Sequence, residues 1–153
     1  MRALRRYQDQ ADRFPHDVQE LLHYLEPVQP GQSVQAADAG FVMNPQQCRG
    51  QVEGGVVQAL GTSLFEELVL ADGVVTTSVL RNYHIPQMAD VPDTEVLFAD
   101  TSDALGPHGA KSMSESPYNP VAPALANAVT DAIGVRPHEL PMSRDRLWRL
   151  LQP

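Results

Sequence analysis

Apolar side chains recur along this chain with helical spacing in two places and with strand-like grouping in others. Val52, Val56, Leu60 and Leu64 follow one another every four residues and Leu68 continues the series, which predicts a helix over residues 50–68. Val121, Leu125, Ala128, Val129, Ala132 and Ile133 form a second helical stripe, with Pro120 and Pro123 near its first turn and Gly134 as its terminator. A third, shorter helix is expected over residues 143–151, capped by Ser143 and anchored by Leu147, Leu150 and Leu151. Ala71-Asp72-Gly73, between the apolar runs 68–70 and 74–75, predicts a hairpin with an Asp-Gly turn. Residues 94–98 read as another strand, and Asp38-Ala39-Gly40 with Asn44-Pro45 reads as the end of a strand entering a loop.

The segments between are irregular. Pro86 biases Ile85 away from helix, so residues 82–86 should be extended. Residues 103–116 hold Gly, Pro, Ser and His without periodicity and predict a loop. Residues 1–37 are polar and charged, and Leu21, Leu22 and Leu25 mark a short amphipathic helix from about Asp17, ended by Pro27 and the turn at Pro30-Gly31. The chain is therefore divided into an N-terminal segment, 1–37, partly helical or disordered, and a folded part, 38–153. Helices and strands mix without regular alternation, so the fold class is α+β.

Composition narrows the function more than the fold. The apolar fraction of 42% and charged fraction of 20% are those of a globular chain. A formal net charge of −8 argues against nucleic acid, which demands a basic face. The single cysteine, Cys48, excludes an internal disulfide and a multi-cysteine iron–sulfur or metal site within these residues. MRALRR is basic but no apolar run follows it, and no stretch approaches the roughly 20 apolar residues of a membrane span. A cytoplasmic protein with no membrane partner is expected.

Two stretches carry candidate chemistry. Gly54, Gly55, Ala59 and Gly61 sit inside the first predicted helix, where each glycine costs about 1 kcal/mol against alanine. Such a cost implies close backbone approach, either to a neighbouring helix or to a ligand. The second stretch is Gly109-Ala110-Lys111-Ser112-Met113-Ser114-Glu115-Ser116-Pro117, just before the helix at Pro120. Glu115 there is an acid capping a helix end, or a carboxylate held on small residues to face a site. Spacing alone favours the cap.

Several motifs in fixed order alter that balance. Asp38-Ala39-Gly40 with Asn44-Pro45 is followed by Gly50-Gln51-Val52-Glu53-Gly54-Gly55 and Gln58-Ala59-Leu60-Gly61. Tyr83-His84-Ile85-Pro86 and Asp90-Val91-Pro92 come next, then the 109–115 stretch, which resembles a Gly-Ala-Lys-Gly-x-Gly-Glu loop. Pro123-Ala124-Leu125-Ala126-Asn127-Ala128, Asp131-Ala132, Gly134 and Leu140-Pro141 complete the series. Together they resemble the molybdenum hydroxylases, the xanthine dehydrogenase and aldehyde oxidase family, in the C-terminal part of the molybdopterin-binding subunit. The resemblance runs from about Ala36 to Leu150.

That resemblance implies a cofactor, a molybdenum–pyranopterin in the molybdopterin or cytosine dinucleotide form, with the metal held by the pterin and by no residue of this chain. It implies that Glu115 is the general base for hydroxylation of an electron-poor carbon, in a heterocycle or an aldehyde, with water-derived oxygen. Gln51 would hydrogen-bond the pterin, Gly54 and Gly55 would admit it close to the helix, and Ala110, Lys111 and Ser112 would line the loop. The partners implied are the remaining molybdopterin-binding segments, iron–sulfur and FAD subunits or domains, and a small-molecule substrate. The family subunit is several times longer than this chain, so an inactive truncated remnant or interaction module is the alternative. Ser112 and Ser114 replace glycines of the family loop and would be strained at positive φ.

Other residues invite simpler readings. His16 and His23 lack a third ligand and read as surface histidines. Cys48 reads as a small packing residue, and Trp148 and Tyr118 are expected to pack. Glu53, Glu66, Glu67, Arg144, Arg146 and Arg149 read as solvated charges.

Overall fold

A computed structural model describes residues 31–152. The predicted helix near Asp17 and both N-terminal histidines lie outside the described residues. The chain divides into two compact units, 31–53 with 92–117 and 54–91 with 118–152, and the boundary falls within one helix.

In the first unit, strand β1, Gln32–Ala37, pairs in parallel with β4, Asp93–Phe98. Their register sets Val34 opposite Glu95 and Ala36 opposite Leu97. β1 falls within the polar segment whose sequence assigned it to no core. A strand of Gln, Ser, Val and Ala has weak propensity, and its pairing with β4 supplies what propensity does not. Val96, Ala99 and Ala39 are buried in this unit, and so is Val52 on the helix.

Helix α1 spans Pro45–Leu60. It starts earlier than the apolar period predicts, because Asn44 accepts the Gln47 N–H on its side-chain oxygen at 3.0 Å and Pro45 takes the first helical position. It also ends earlier. Residues Gly61–Phe65 form a π-turn, closed by Glu66 N–H on Gly61 O at 2.8 Å, and the chain then turns extended. A Cβ at Gly61 would crowd Pro86 and displace the Glu66 carboxylate that lies against it. Leu68, expected on the helix stripe, is exposed beyond it.

In the second unit Val56, Ala59 and Leu60 pack against Val121, with Leu64, Tyr118 and Leu125 around them. The hairpin is as predicted: β2, Leu70–Ala71, runs antiparallel to β3, Val74–Val75. Asp72 and Gly73 both have positive φ, 49° and 77°, the requirement of a type I′ turn. Helix α2, Val121–Ile133, ends at Gly134 in the left-handed conformation, whose N–H reaches Thr130 O at 2.8 Å. Helix α3, Arg144–Leu150, is capped by Ser143, which accepts the Arg146 N–H. Trp148 does not pack: it is 61% exposed, and Leu151 is exposed beside it, because this short helix buries little of its apolar side. The described residues form an α+β arrangement of three α-helices and four short strands. None of the helices is long and apolar enough to cross a membrane.

Candidate functional site

The loop before Glu115 is tied down at its root. Gly40 forms an antiparallel bridge with Ala110, through Phe41 N–H on Gly109 O at 2.9 Å and Lys111 N–H on Ala39 O at 2.8 Å. Gly109 O also accepts Asp103 N–H, and Ala110 N–H goes to Pro107 O. Gly40 has φ of 59°, and a Cβ there would meet Gly109 O and the Lys111 nitrogen, so two backbones touch where only glycine fits. The Asp38 carboxylate joins the same junction. One oxygen accepts Gly40 N–H at 3.0 Å and the Thr101 hydroxyl, while the other takes the Lys111 ammonium at 2.6 Å. Burial would raise the Asp38 pKa, but the hydrogen bonds from Lys111, Thr101 and Gly40 and the lysine charge outweigh it and lower it to about 2.

Ala110 and Lys111 are thus brought together with Asp38–Gly40, and their N–H groups are engaged within the chain. Ser112 and Glu115 are exposed beyond them, before Pro117, which is buried. Among the described residues the non-glycine positions with positive φ are Asp72 and His108, so Ser112 and Ser114 sit on ordinary backbone. The strain foreseen for serine there does not arise. Left-handed backbone falls instead on His108 and Gly109.

Gln51 and Gly54 lie on the exposed side of α1, and Gly55 is buried on the other. Among the described residues, a Cβ at Gly54 would meet nothing within 4 Å beyond its own helix. No hydrogen bond among the described residues engages the Gln51 carboxamide or joins it to Glu115.

The second unit holds interactions that apolar periodicity does not announce. Thr62 and Tyr118 share a hydrogen bond of 2.7 Å, and the Tyr83 hydroxyl donates to Glu66 at 2.6 Å. That bond, with some burial and the Glu66 charge, raises the Tyr83 pKa. Arg146 donates to Glu67 at 2.5 Å and to Pro141 O at 3.1 Å. Glu66, Glu67 and Arg146 are therefore partnered and not simply solvated charges. Tyr118 packs as expected, and Cys48 is partly buried, which pushes its thiol pKa up. Only the Glu67–Arg146 pair had a signal, its opposed charges, and at a separation of 79 residues no local pattern links them.

Comparison with known proteins places this arrangement among molybdopterin cofactor-binding domains, whose family model matches residues 27–92 and so includes β1. The xanthine dehydrogenase molybdenum-binding subunit of Escherichia coli O157:H7 is 39% identical over 113 residues, which is 72% of this chain and 15% of that subunit. The aldehyde oxidoreductase molybdenum-binding subunit PaoC of Escherichia coli K12 is 37% identical over 112 residues, 71% of this chain and 15% of PaoC. In the crystal structure of quinoline 2-oxidoreductase from Pseudomonas putida 86, a matching region has a TM-score of 0.73 at 33% identity, covering 78% of this chain and 16% of that one. The chain belongs to the molybdenum hydroxylases, the xanthine dehydrogenase and aldehyde oxidase family. It spans about 15% of the length of the curated relatives it matches.

Proposed function

We propose that this chain carries the C-terminal part of a xanthine dehydrogenase-like molybdopterin-binding region, with the family match beginning at residue 27 and taking in β1. In this reading it helps to hydroxylate an electron-poor carbon of a heterocycle or an aldehyde with water-derived oxygen. Glu115 is the general base. The observation that carries this is an exposed carboxylate on a loop whose root is fixed by the Gly40–Ala110 bridge. A base must lie within hydrogen-bond reach of the proton it takes, and a fixed loop root limits where that carboxylate can go.

The residues present fit a pyranopterin. The Gln51 carboxamide can donate and accept, which suits a polar heterocycle, and the space beside Gly54 on the same helix leaves the backbone open to it. Gly55, expected beside Gly54 in this role, is instead buried on the opposite side of the helix and does not face that space, while Ser112 offers an exposed hydroxyl beyond the junction that Ala110 and Lys111 form. When bound, the molybdenum–pyranopterin supplies the two-electron redox centre that oxidises the substrate. The chain acts together with the remaining molybdopterin-binding segments and with iron–sulfur and FAD subunits or domains.

A second reading keeps the family and drops catalysis: a remnant or interaction module. Its support is the exposed apolar run of Leu68, Leu70, Val74 and Leu80, which favours association with another polypeptide whether or not Glu115 reacts. Co-expression with the remaining molybdenum-binding, iron–sulfur and flavin polypeptides separates the two. Molybdenum and pterin should copurify with both wild type and Glu115→Gln, while turnover falls about 10²- to 10⁴-fold in the variant alone. Assembled complexes without molybdenum would leave only the interaction module.

A further inference from the structure

We propose that Asp38 and Lys111 form a positioning clasp that orients the span carrying Glu115, so that Lys111 serves the site by holding the loop and not by binding a ligand. This rests on the reading of Glu115 as the base. The clasp joins three segments of one unit: Asp38 directly after β1, Thr101 after β4, and Lys111 four positions before Glu115. Both Asp38 oxygens are occupied, one by Gly40 N–H and Thr101 and the other by the lysine. Lys111 is held twice, by its ammonium on Asp38 and by its N–H on Ala39 O, and its ammonium lies 3.5 Å from the Thr101 hydroxyl.

Past Lys111 the chain makes few such ties until Pro117. Ser116 bonds back to Met113 O at 2.9 Å, and Glu115 projects from the short span between two fixed ends. A displacement of about 1 Å at a reacting group can cost about 10²-fold in rate, so the anchor nearest the carboxylate governs its effectiveness. Backbone bonds at Gly109 and Lys111 set the path of the chain. The ion pair resists twisting of the lysine residue itself, from which the next four residues depart.

The test compares amide hydrogen exchange in the full chain for wild type, Asp38→Asn, Lys111→Met and Lys111→Arg. Asp38→Asn keeps an acceptor for Gly40 and Thr101 but sets an amide NH2 where the lysine had a carboxylate oxygen, so the charge and that hydrogen bond go together. We expect exchange of the hydrogen-bonded amides at the loop root, Phe41 and Lys111, to quicken about tenfold in Asp38→Asn and Lys111→Met, the scale of one charge-assisted hydrogen bond, with α2 unchanged. Lys111→Arg, which keeps a cation, should stay near wild type. Unchanged exchange at Phe41 and Lys111 in Asp38→Asn overturns the proposal, even if Lys111→Met proves too unstable to read.

In the assembled hydroxylase, Asp38→Asn and Lys111→Met should lower kcat with KM and molybdenum content unaltered. A parallel fall in molybdenum content would make Lys111 a cofactor ligand and also overturn the proposal. If Glu115→Gln leaves turnover intact, the base reading fails by itself, while the exchange result still reports whether the clasp orders the loop.

Discussion

Arg146 on α3 and Glu67, just beyond the π-turn, meet at 2.5 Å across 79 residues of sequence, and the same guanidinium donates to Pro141 O. One side chain thus ties the last helix both to the segment after α1 and to its own approach. Both partners are about a third exposed or more, so solvent screens the pair and most of its value lies in the hydrogen bonds. Arg146→Ala should cost about 1–2 kcal/mol, seen as a lower urea midpoint. A double-mutant cycle with Glu67→Gln should give a coupling below about 1 kcal/mol. A coupling near zero would mean that the carbonyl contact alone holds α3.

Asp38 gives the chain an acid-sensitive contact. Its folded pKa, about 2, lies below the ordinary 3.8, so the native state favours the carboxylate more than the unfolded chain does. The resulting stability is fully present above pH 3.8 and is lost as pH falls through about 2. Asp38→Asn should therefore be less stable than wild type near neutrality, with the difference shrinking through this window. Unfolding midpoints measured from pH 5 to pH 2 check it, and a difference that does not shrink would place the effect outside the ionisation of Asp38.

Local signals in the sequence were enough for some elements. The Asp72-Gly73 turn, the Gly134 terminator and the Ser143 cap each depend on one or two residues whose backbone preference or side-chain acceptor acts on its neighbours. The bounds of α1 were harder, because Asn44-Pro45 serves equally as a loop and as a helix start, and the π-turn arises from the close approach of Gly61 and Glu66. Asp38-Ala39-Gly40 read as the end of a strand, but the body of β1 lay hidden in the polar segment, since its residues form a strand only against β4. At the site, Glu115, Gln51 and the glycines stood in recognisable motifs. The Asp38–Lys111 contact spans 73 residues, and no periodicity connects its ends.

Cys48 offers a direct check on burial at the start of α1. Partial burial raises its thiol pKa, so less thiolate is present near neutrality than for an open cysteine. Alkylation by iodoacetamide at pH 7.5, an assay value of about one unit below a free thiol's pKa, should run slower than that of a small-molecule thiol. The rate should reach that of the free thiol once the chain is unfolded in urea. Equal rates in the folded and unfolded chain would show that the cysteine is open.

Two glycine substitutions should act in opposite directions on stability. Gly40→Ala forces a side chain into left-handed backbone against Gly109 O and the Lys111 nitrogen, which should destabilise the chain by about 2 kcal/mol or more. Gly54→Ala adds a methyl in open space on the exposed side of α1 and should stabilise the helix by about 0.5–1 kcal/mol. A glycine kept where alanine would be more stable, with none of the described residues within 4 Å of an added methyl, fits a surface that something else must approach. In the assembled hydroxylase, Gly54→Ala should accordingly retain less molybdenum and pterin than wild type while melting at a higher temperature as the isolated chain. Higher stability with full cofactor content would remove Gly54 from the pterin contact and leave Gln51 as the only candidate on that side of the helix.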